Sequence, residues 1–278
     1  MRELVFDTYR GEGRVVTNHP EYPGFRHVYM KVAEGANGYL TTDKVTLHNA
    51  LEFQLCRENG KLDTFAPYLY FRNHTYVHWQ KQAEAYLGQL DALDSLSVET
   101  DYDILDLEPY NNATVHPTYG WWVFPAQFGS WVYEYVRFVT DRTQRPFMLY
   151  GFGSAIYDMF DRFGYRWHRD YPWIIAQYPS YGWDEELHNN VLSGELSPRL
   201  RNTEYLREQV VMWQYSDKYP VNGWQLDEEG NIGSHHADVN VWLADWRVLL
   251  NKPAPVVKKD NDIKRAWRRM KFTLNRER

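Results

Sequence analysis

Cysteine is almost missing from this 278-residue chain. The single Cys56 allows no intramolecular disulfide and gives no reading of redox compartment. Long apolar runs are missing too: no stretch approaches the roughly 18 residues a membrane span needs. The opening MRELVFDTYRG holds no apolar core of signal-peptide length, so no secretory signal is expected. The chain has no Gly-rich phosphate motif, no GxSxG, no HExxH, no internal repeat and no low-complexity segment. It also lacks net positive charge. With 31 Lys and Arg against 37 Asp and Glu the balance is −6, which argues against a nucleic-acid partner.

Aromatic residues, by contrast, are plentiful, with 12 Trp and 22 Tyr. Their flat apolar faces and polar edges suit both a packed interior and a sugar-binding cleft. Charge is unevenly spread. Residues 256–278 carry nine Lys and Arg against three acids, leaving −12 for residues 1–255. The stiff segment Asn251-Lys-Pro-Ala-Pro255 separates the two. The expected organisation is a body over 1–250 and a linker with a basic tail over 251–278.

Along the body, short β-branched and aromatic runs alternate with helical stretches. Strands are expected at Leu4–Phe6, Val28–Val32, Tyr68–Phe71, Ile104–Glu108, Phe147–Tyr150, Trp173–Ala176, Val210–Gln214 and Val239–Val241. Helices are expected near 43–58, stopped by Asn59-Gly60, near 76–93 and near 126–142, with a short one after Gly151-Phe152-Gly153. Cys56 falls in the first helix as a buried apolar residue. This alternation means a mostly parallel α/β sheet, and eight strands favour closure into a barrel. Residues 177–209 and 216–237 are rich in Gly, Asn, Asp and Pro, so the last third departs from strict alternation.

The most informative feature is where acids interrupt apolar strands. In ILDLEP, Asp106 and Glu108 are two residues apart and share one strand face, while Leu105 and Leu107 point the other way, toward the helices. Asp7 ends the first strand. Carboxylates facing a barrel interior are costly to desolvate unless paired or put to use. Clustered and half-buried, they hold at least one proton near neutral pH, leaving a general acid beside ionised partners, as glycoside hydrolysis requires. Spacing alone leaves two other readings open: a helix-capping Asp, and a divalent-metal site on the same acids. His74 and His78, spaced i, i+4, and the pair His235-His236 near Asp238 are weaker metal candidates, and no metal is expected at either.

These segments, taken in order, resemble the family 25 glycoside hydrolases, the Chalaropsis-type lysozymes of bacteria, fungi and phages. VFDTYRGEG is similar to the family's first strand and HVYMKVAEGANGYLTTD to its second, with Lys31 before Glu-Gly. ILDLEP resembles its Asp-x-Glu strand, and MLYGF, WIIAQY, VMWQYS and ADVNVW resemble later ones. The resemblance implies a modified TIM-type barrel of five β/α units followed by three less regular strands. It implies retaining cleavage of the β-1,4 bond between N-acetylmuramic acid and N-acetylglucosamine, without a cofactor. Glu108 would be the general acid/base. Asp106 would orient the substrate acetamido group or stabilise the cation, and Asp7 and Asp238 would complete the acidic cleft. Lys31 and Tyr70 would contact sugar, and Trp173, Trp213 and Tyr215 are either sugar platforms or core residues. The family's Tyr-His-Phe strand is altered here to Leu69-Tyr70-Phe71. The loop between Tyr215 and Asp238, with Trp224 and Asp227-Glu228-Glu229, is longer than the family's and is expected to reshape one cleft wall.

Two further readings accompany the tail and the context. Ile263, Trp267, Met270 and Leu274 fall on one helical face with the cations mostly elsewhere. The tail is either a docked or solvated helix, or a cationic amphipathic one drawn to an anionic envelope surface. The expected setting is a monomeric phage or prophage lysin, made in the host cytoplasm and reaching the wall by holin-type release or as part of a particle. The competing reading is a lysozyme-like barrel with little turnover, serving as a wall-binding or structural part of a virion or secretion device. A third is a barrel glycosidase that keeps Glu108 but acts on another polysaccharide.

Overall fold

Eight strands close on themselves in the computed structural model, which describes residues 2–72, 78–108, 127–179, 184–200, 204–227, 229–232 and 236–250. They are β1 (Leu4–Thr8), β2 (His27–Glu34), β3 (Thr64–Tyr70), β4 (Asp103–Asp106), β5 (Phe147–Phe152), β6 (Trp173–Ala176), β7 (Val210–Pro220) and β8 (His236–Trp242). Neighbours from β1 to β7 run parallel. The last strand lies antiparallel between β7 and β1 and seals the ring. This is the expected modified α/β barrel. Parallel order persists through β7, so the irregularity in direction is confined to β8. The basic tail and its connector lie outside the described residues, as do His74 and His235.

Helices α1 (Lys44–Glu58), α2 (Trp79–Ser95), α3 (Phe128–Thr143), α4 (Gly153–Met159) and α5 (Glu185–Ser193) follow the second to sixth strands. Their limits are set locally. Asp43 caps α1, its carboxylate accepting the Thr46 N–H at 2.9 Å. Beyond Asn59, Gly60 takes a positive φ that a side chain would resist. His78, one of the weak metal candidates, instead caps α2 through Nδ1. After β1 the chain makes only a 3-10 turn, Arg10–Glu12.

Two cores result. The larger lies between strands and helices and takes the outward residues of the strands, among them Leu105, Leu107, Phe65, Leu149 and Trp173, with Cys56 from α1. The smaller fills the barrel with Val5, Ala66, Ile104, Met148, Ile174 and Met212, floored by Tyr102 and Trp242. A short helix α6 (Trp246–Leu250) plugs the lower end. The Trp246 ring lies 5.0 Å from that of His27, and its Nε1 donates to Glu3 at 2.7 Å. With the floor packed, the barrel interior opens at the mouth, at the C-terminal ends of the parallel strands.

The described part of the long connection from β7 to β8 packs onto the barrel. Trp224 is fully buried and packs edge-on against Phe6 at 5.2 Å, and Gln225–Leu226 pairs with Arg14–Val15. Its apolar bulk and the free β-edge at Arg14–Val15 draw the loop down onto the barrel. Among the described residues, none from 221 to 232 lines the cavity at the mouth.

Candidate active site

A cavity of about 150 Å³ opens at the mouth. It is lined by Asp7, Lys31, Tyr70, Asp106, Glu108 and Asp238, together with Tyr9, Tyr29, Tyr68, Ile104 and Tyr150. The pairing registers explain the convergence. Asp7 lies opposite Asp238 on one side and Tyr29 on the other, and Asp106 lies between Tyr70 and Tyr150. Alternation points Ile104 and Asp106 inward and Leu105 outward. Strand β4 ends at Asp106, two residues earlier than the sequence reading placed it. The Leu107 N–H still donates to the Tyr150 carbonyl at 2.9 Å, so Glu108 is held at the rim just beyond the strand. Gly151 allows this approach: a side chain there would meet the Leu107 carbonyl at 3.0 Å.

The acids strain one another electrostatically. Burial holds Asp7 well above the usual carboxylate range, and Asp238 adds to it, while Lys31 and the Tyr68 hydroxyl oppose. Burial and then Glu108 do the same to Asp106, against Lys31. Glu108, half-buried, is raised by desolvation and opposed by hydrogen bonding with Tyr150 and by Lys31. Asp238 is pushed up to about 7 by burial, Asp217 and Glu108. Near neutral pH such a cluster holds protons and negative charge side by side, which suits one group to give a proton while another steadies a cation.

Lys31 is the cation of the cavity. Its Nζ lies 4.9 Å from the Tyr9 ring centre and 5.2 Å from that of Tyr70, and 3.8 Å from the Glu34 carboxylate. Glu34 also pairs with Arg72 and accepts the Tyr39 hydroxyl at 3.0 Å, so the cation sits in a tethered frame. Among the described residues, no group of three or more His, Cys, Asp and Glu is arranged to hold a metal ion.

Three expected sugar contacts are elsewhere. Trp173, Trp213 and Tyr215 are buried in the core between strands and helices. The indole of Trp173 donates to the His168 carbonyl at 3.0 Å and that of Trp213 to Gln177 O at 2.8 Å, while Tyr215 Oη meets His188 Nδ1 at 2.5 Å. Alternation explains the correction: Met212 and Gln214 face inward, so residues 213 and 215 face out. Residues the sequence reading passed over are present instead. Tyr29 and Tyr68 each precede a named residue by two positions, and Tyr150 is in register with Asp106, so the strand period carried that signal. Glu12, buried in the 3-10 turn and raised by burial, Asp238 and Asp7, had no periodic signal.

Solved structures were compared with this arrangement. A family 25 lysozyme from Aspergillus fumigatus superposes with a TM-score of 0.56 at 18% identity, covering 90% of this chain and 98% of that one. The chain has the family 25 lysozyme fold. The same fold is shared with a family 25 glycosyl hydrolase from Bacillus anthracis, at TM-score 0.56 and 14% identity over 90% of this chain and 93% of that one. It is shared too with the catalytic domain of a bacteriophage endolysin of Listeria monocytogenes, at TM-score 0.56 and 16% identity over 91% and 98%. No protein-family model matches the sequence, and no curated protein matches it. The likeness to the lysozyme fold is therefore one of architecture.

Proposed function

We propose that the protein is a peptidoglycan hydrolase of the muramidase kind, cutting the β-1,4 bond from N-acetylmuramic acid to N-acetylglucosamine. The observation that carries this reading is the convergence of Asp7, Asp106, Glu108 and Asp238 at one mouth of a closed barrel of lysozyme fold. Glu108 is the general acid, because it sits at the rim where a glycosidic oxygen can reach it and its carboxyl is raised. Asp106, deeper and beside it, orients the substrate acetamido group for attack on the anomeric carbon, and the configuration is retained. Asp7 and Asp238, both raised by burial, complete the acidic mouth and share its protons with Asp106 and Glu108. Tyr9 and Tyr70, flanking Lys31, offer ring faces to sugar.

The reaction is tested by digesting purified peptidoglycan with the wild type and with Glu108→Gln and identifying the new reducing end. N-acetylmuramic acid ends, lost in the variant, are expected. N-acetylglucosamine ends would make the protein a glucosaminidase. Binding to wall without any new end would leave a wall-binding barrel. The lysin context and the targeting role of residues 256–278 belong to the same proposal, the latter resting on their positive charge beside an acidic body.

A further inference from the structure

Tyr9 follows β1 and stands at the rim of the mouth. It is 38% exposed, and among the described residues it is the one large exposed hydrophobic side chain that lines the cavity. Its ring centre lies 4.9 Å from Lys31 Nζ, and that of Tyr70 lies 5.2 Å from the same atom. Strand pairing does not hold it, because β1 ends at Thr8. The turn that follows does. Glu12 Oε2 accepts the Tyr9 N–H at 3.2 Å, and the Glu12 N–H donates to the Tyr9 carbonyl at 3.0 Å, so one residue takes both backbone groups of the other. Gly11 lets the ring lie back on the turn: a Cβ there would overlap Tyr9 Cε2 and meet Cζ at 3.0 Å. Beyond Glu12 the chain is fastened to α1. Asn49, fully buried, donates from Nδ2 to the Gly13 carbonyl at 3.1 Å and accepts the Val15 N–H at 2.8 Å. Glu12 itself is buried and does not line the cavity.

We infer that Glu12 is a positioning residue for substrate binding: anchored from behind through Asn49, it holds Tyr9 so that the ring stays beside Lys31 and forms one side of the sugar seat. The identity of the sugar rests on the muramidase reading, whereas the hold on Tyr9 stands on distances. The two rings offer flat apolar faces to the C–H side of a sugar, and Lys31 beside them donates to its oxygens. An exposed ring left loose has to be ordered when sugar binds. That ordering weakens binding without touching the acids that do the chemistry. The hold needs an acceptor oxygen, which a glutamine supplies as well as a glutamate does. A role as one more acid beside Asp7 and Asp238 is therefore separable by substitution. Glu12→Gln and Glu12→Leu both remove the acid, and only Glu12→Leu removes the acceptor.

The test compares wild type, Glu12→Gln, Glu12→Leu, Tyr9→Ala and the double variant that joins Tyr9→Ala with Glu12→Leu. KM and kcat on solubilised peptidoglycan are read alongside the NMR signals of the Lys31 Cε protons, which the Tyr9 ring current displaces. In Glu12→Leu, KM rises about fivefold with kcat held, and the Lys31 signals move toward their free-chain position. Tyr9→Ala produces both changes, at least as large, and adding Glu12→Leu to it produces no more. Glu12→Gln keeps the wild-type KM and signals. Glu12→Ala serves if the leucine variant does not fold. A fall in kcat shared by Glu12→Gln and Glu12→Leu, or an effect of Glu12→Leu undiminished in the Tyr9→Ala background, would overturn the inference. So would Lys31 signals that do not move in Glu12→Leu. Wild type that cleaves no peptidoglycan overturns the proposed function instead, while the NMR signals still decide whether Glu12 holds the ring.

Discussion

Strand β4 carries a buried carboxylate at each end, and the fold treats the two in opposite ways. Asp103, at the lower end, faces the helices. Tyr86 Oη donates to it at 2.9 Å and Arg145 Nη2 at 2.8 Å, so its charge is matched. Asp106, three residues on, faces the cavity. Its Oδ1 has no partner among the described residues, and Glu108 is a like charge beside it. Burial raises both acids, but for Asp103 the Arg145 guanidinium leads the opposition. The pair teaches that burial of an acid does not mark a site. Unmet hydrogen-bonding capacity, held next to like charge, does.

If the mouth is built for reaction, Glu108→Gln lowers kcat on purified peptidoglycan by about 10³-fold, while its thermal midpoint stays at or above that of wild type. A matched loss of activity and stability would erase the distinction between the two ends of β4. At the other end, Asp103→Ala leaves the Arg145 charge without its carboxylate, while the Tyr86 hydroxyl keeps the Pro67 carbonyl at 2.9 Å. Denaturant unfolding is expected to show a loss of about 3 kcal/mol, with activity per folded molecule kept. Asp106→Asn should do the reverse, raising the melting temperature by relieving repulsion while kcat falls. A drop in melting temperature would mean that Asp106 is structural after all.

The pH dependence sharpens the same contrast. A carboxyl whose folded pKa is raised binds its proton more tightly folded than unfolded. Its contribution to stability is therefore greatest below the unfolded value and declines as pH rises through the folded one. For Asp238 that window runs from about 4, the ordinary carboxylate value, up to about 7. Calorimetry should find wild type more stable at pH 5 than at pH 7.5, and Asp238→Asn should flatten the slope. A slope of the opposite sign would show that the acids are better paired than the geometry indicates. The smallest effect concerns the tail. Ending the chain at Asn251 should reduce lysis of whole cells several-fold while leaving hydrolysis of purified wall nearly intact, and equal losses on both substrates would remove the targeting role.

Much of this was legible in the sequence because two physical periods were present. Acids breaking apolar strands located Asp7, Asp106 and Glu108 on inward faces, and Leu105 and Leu107 read as outward residues. Large aromatics fit both layers of a barrel, so side-chain chemistry leaves Trp173, Trp213 and Tyr215 open between cleft and core, and strand parity decides for the core. The same parity would have picked out Tyr150 and Gln214. The length of β7 is hidden because Ser216–Lys218 are polar and cross a shift in register, after which pairing with β8 resumes at Tyr219 and Pro220. The burial of Trp224 depended on a contact with Phe6 and Phe25 that no local pattern announces.

The antiparallel seat of β8 has a consequence for how the protein comes into being. Asp7 and Asp238 stand 231 residues apart along the chain, yet they lie opposite one another in adjoining strands. Until the residues up to Trp242 have been delivered, the nascent chain is an open trough whose first strand shows a bare edge, ready to pair with a neighbouring polypeptide. A premature stop ahead of this strand would forfeit closure and the acidic mouth together, so half-made copies carry none of the assembled site.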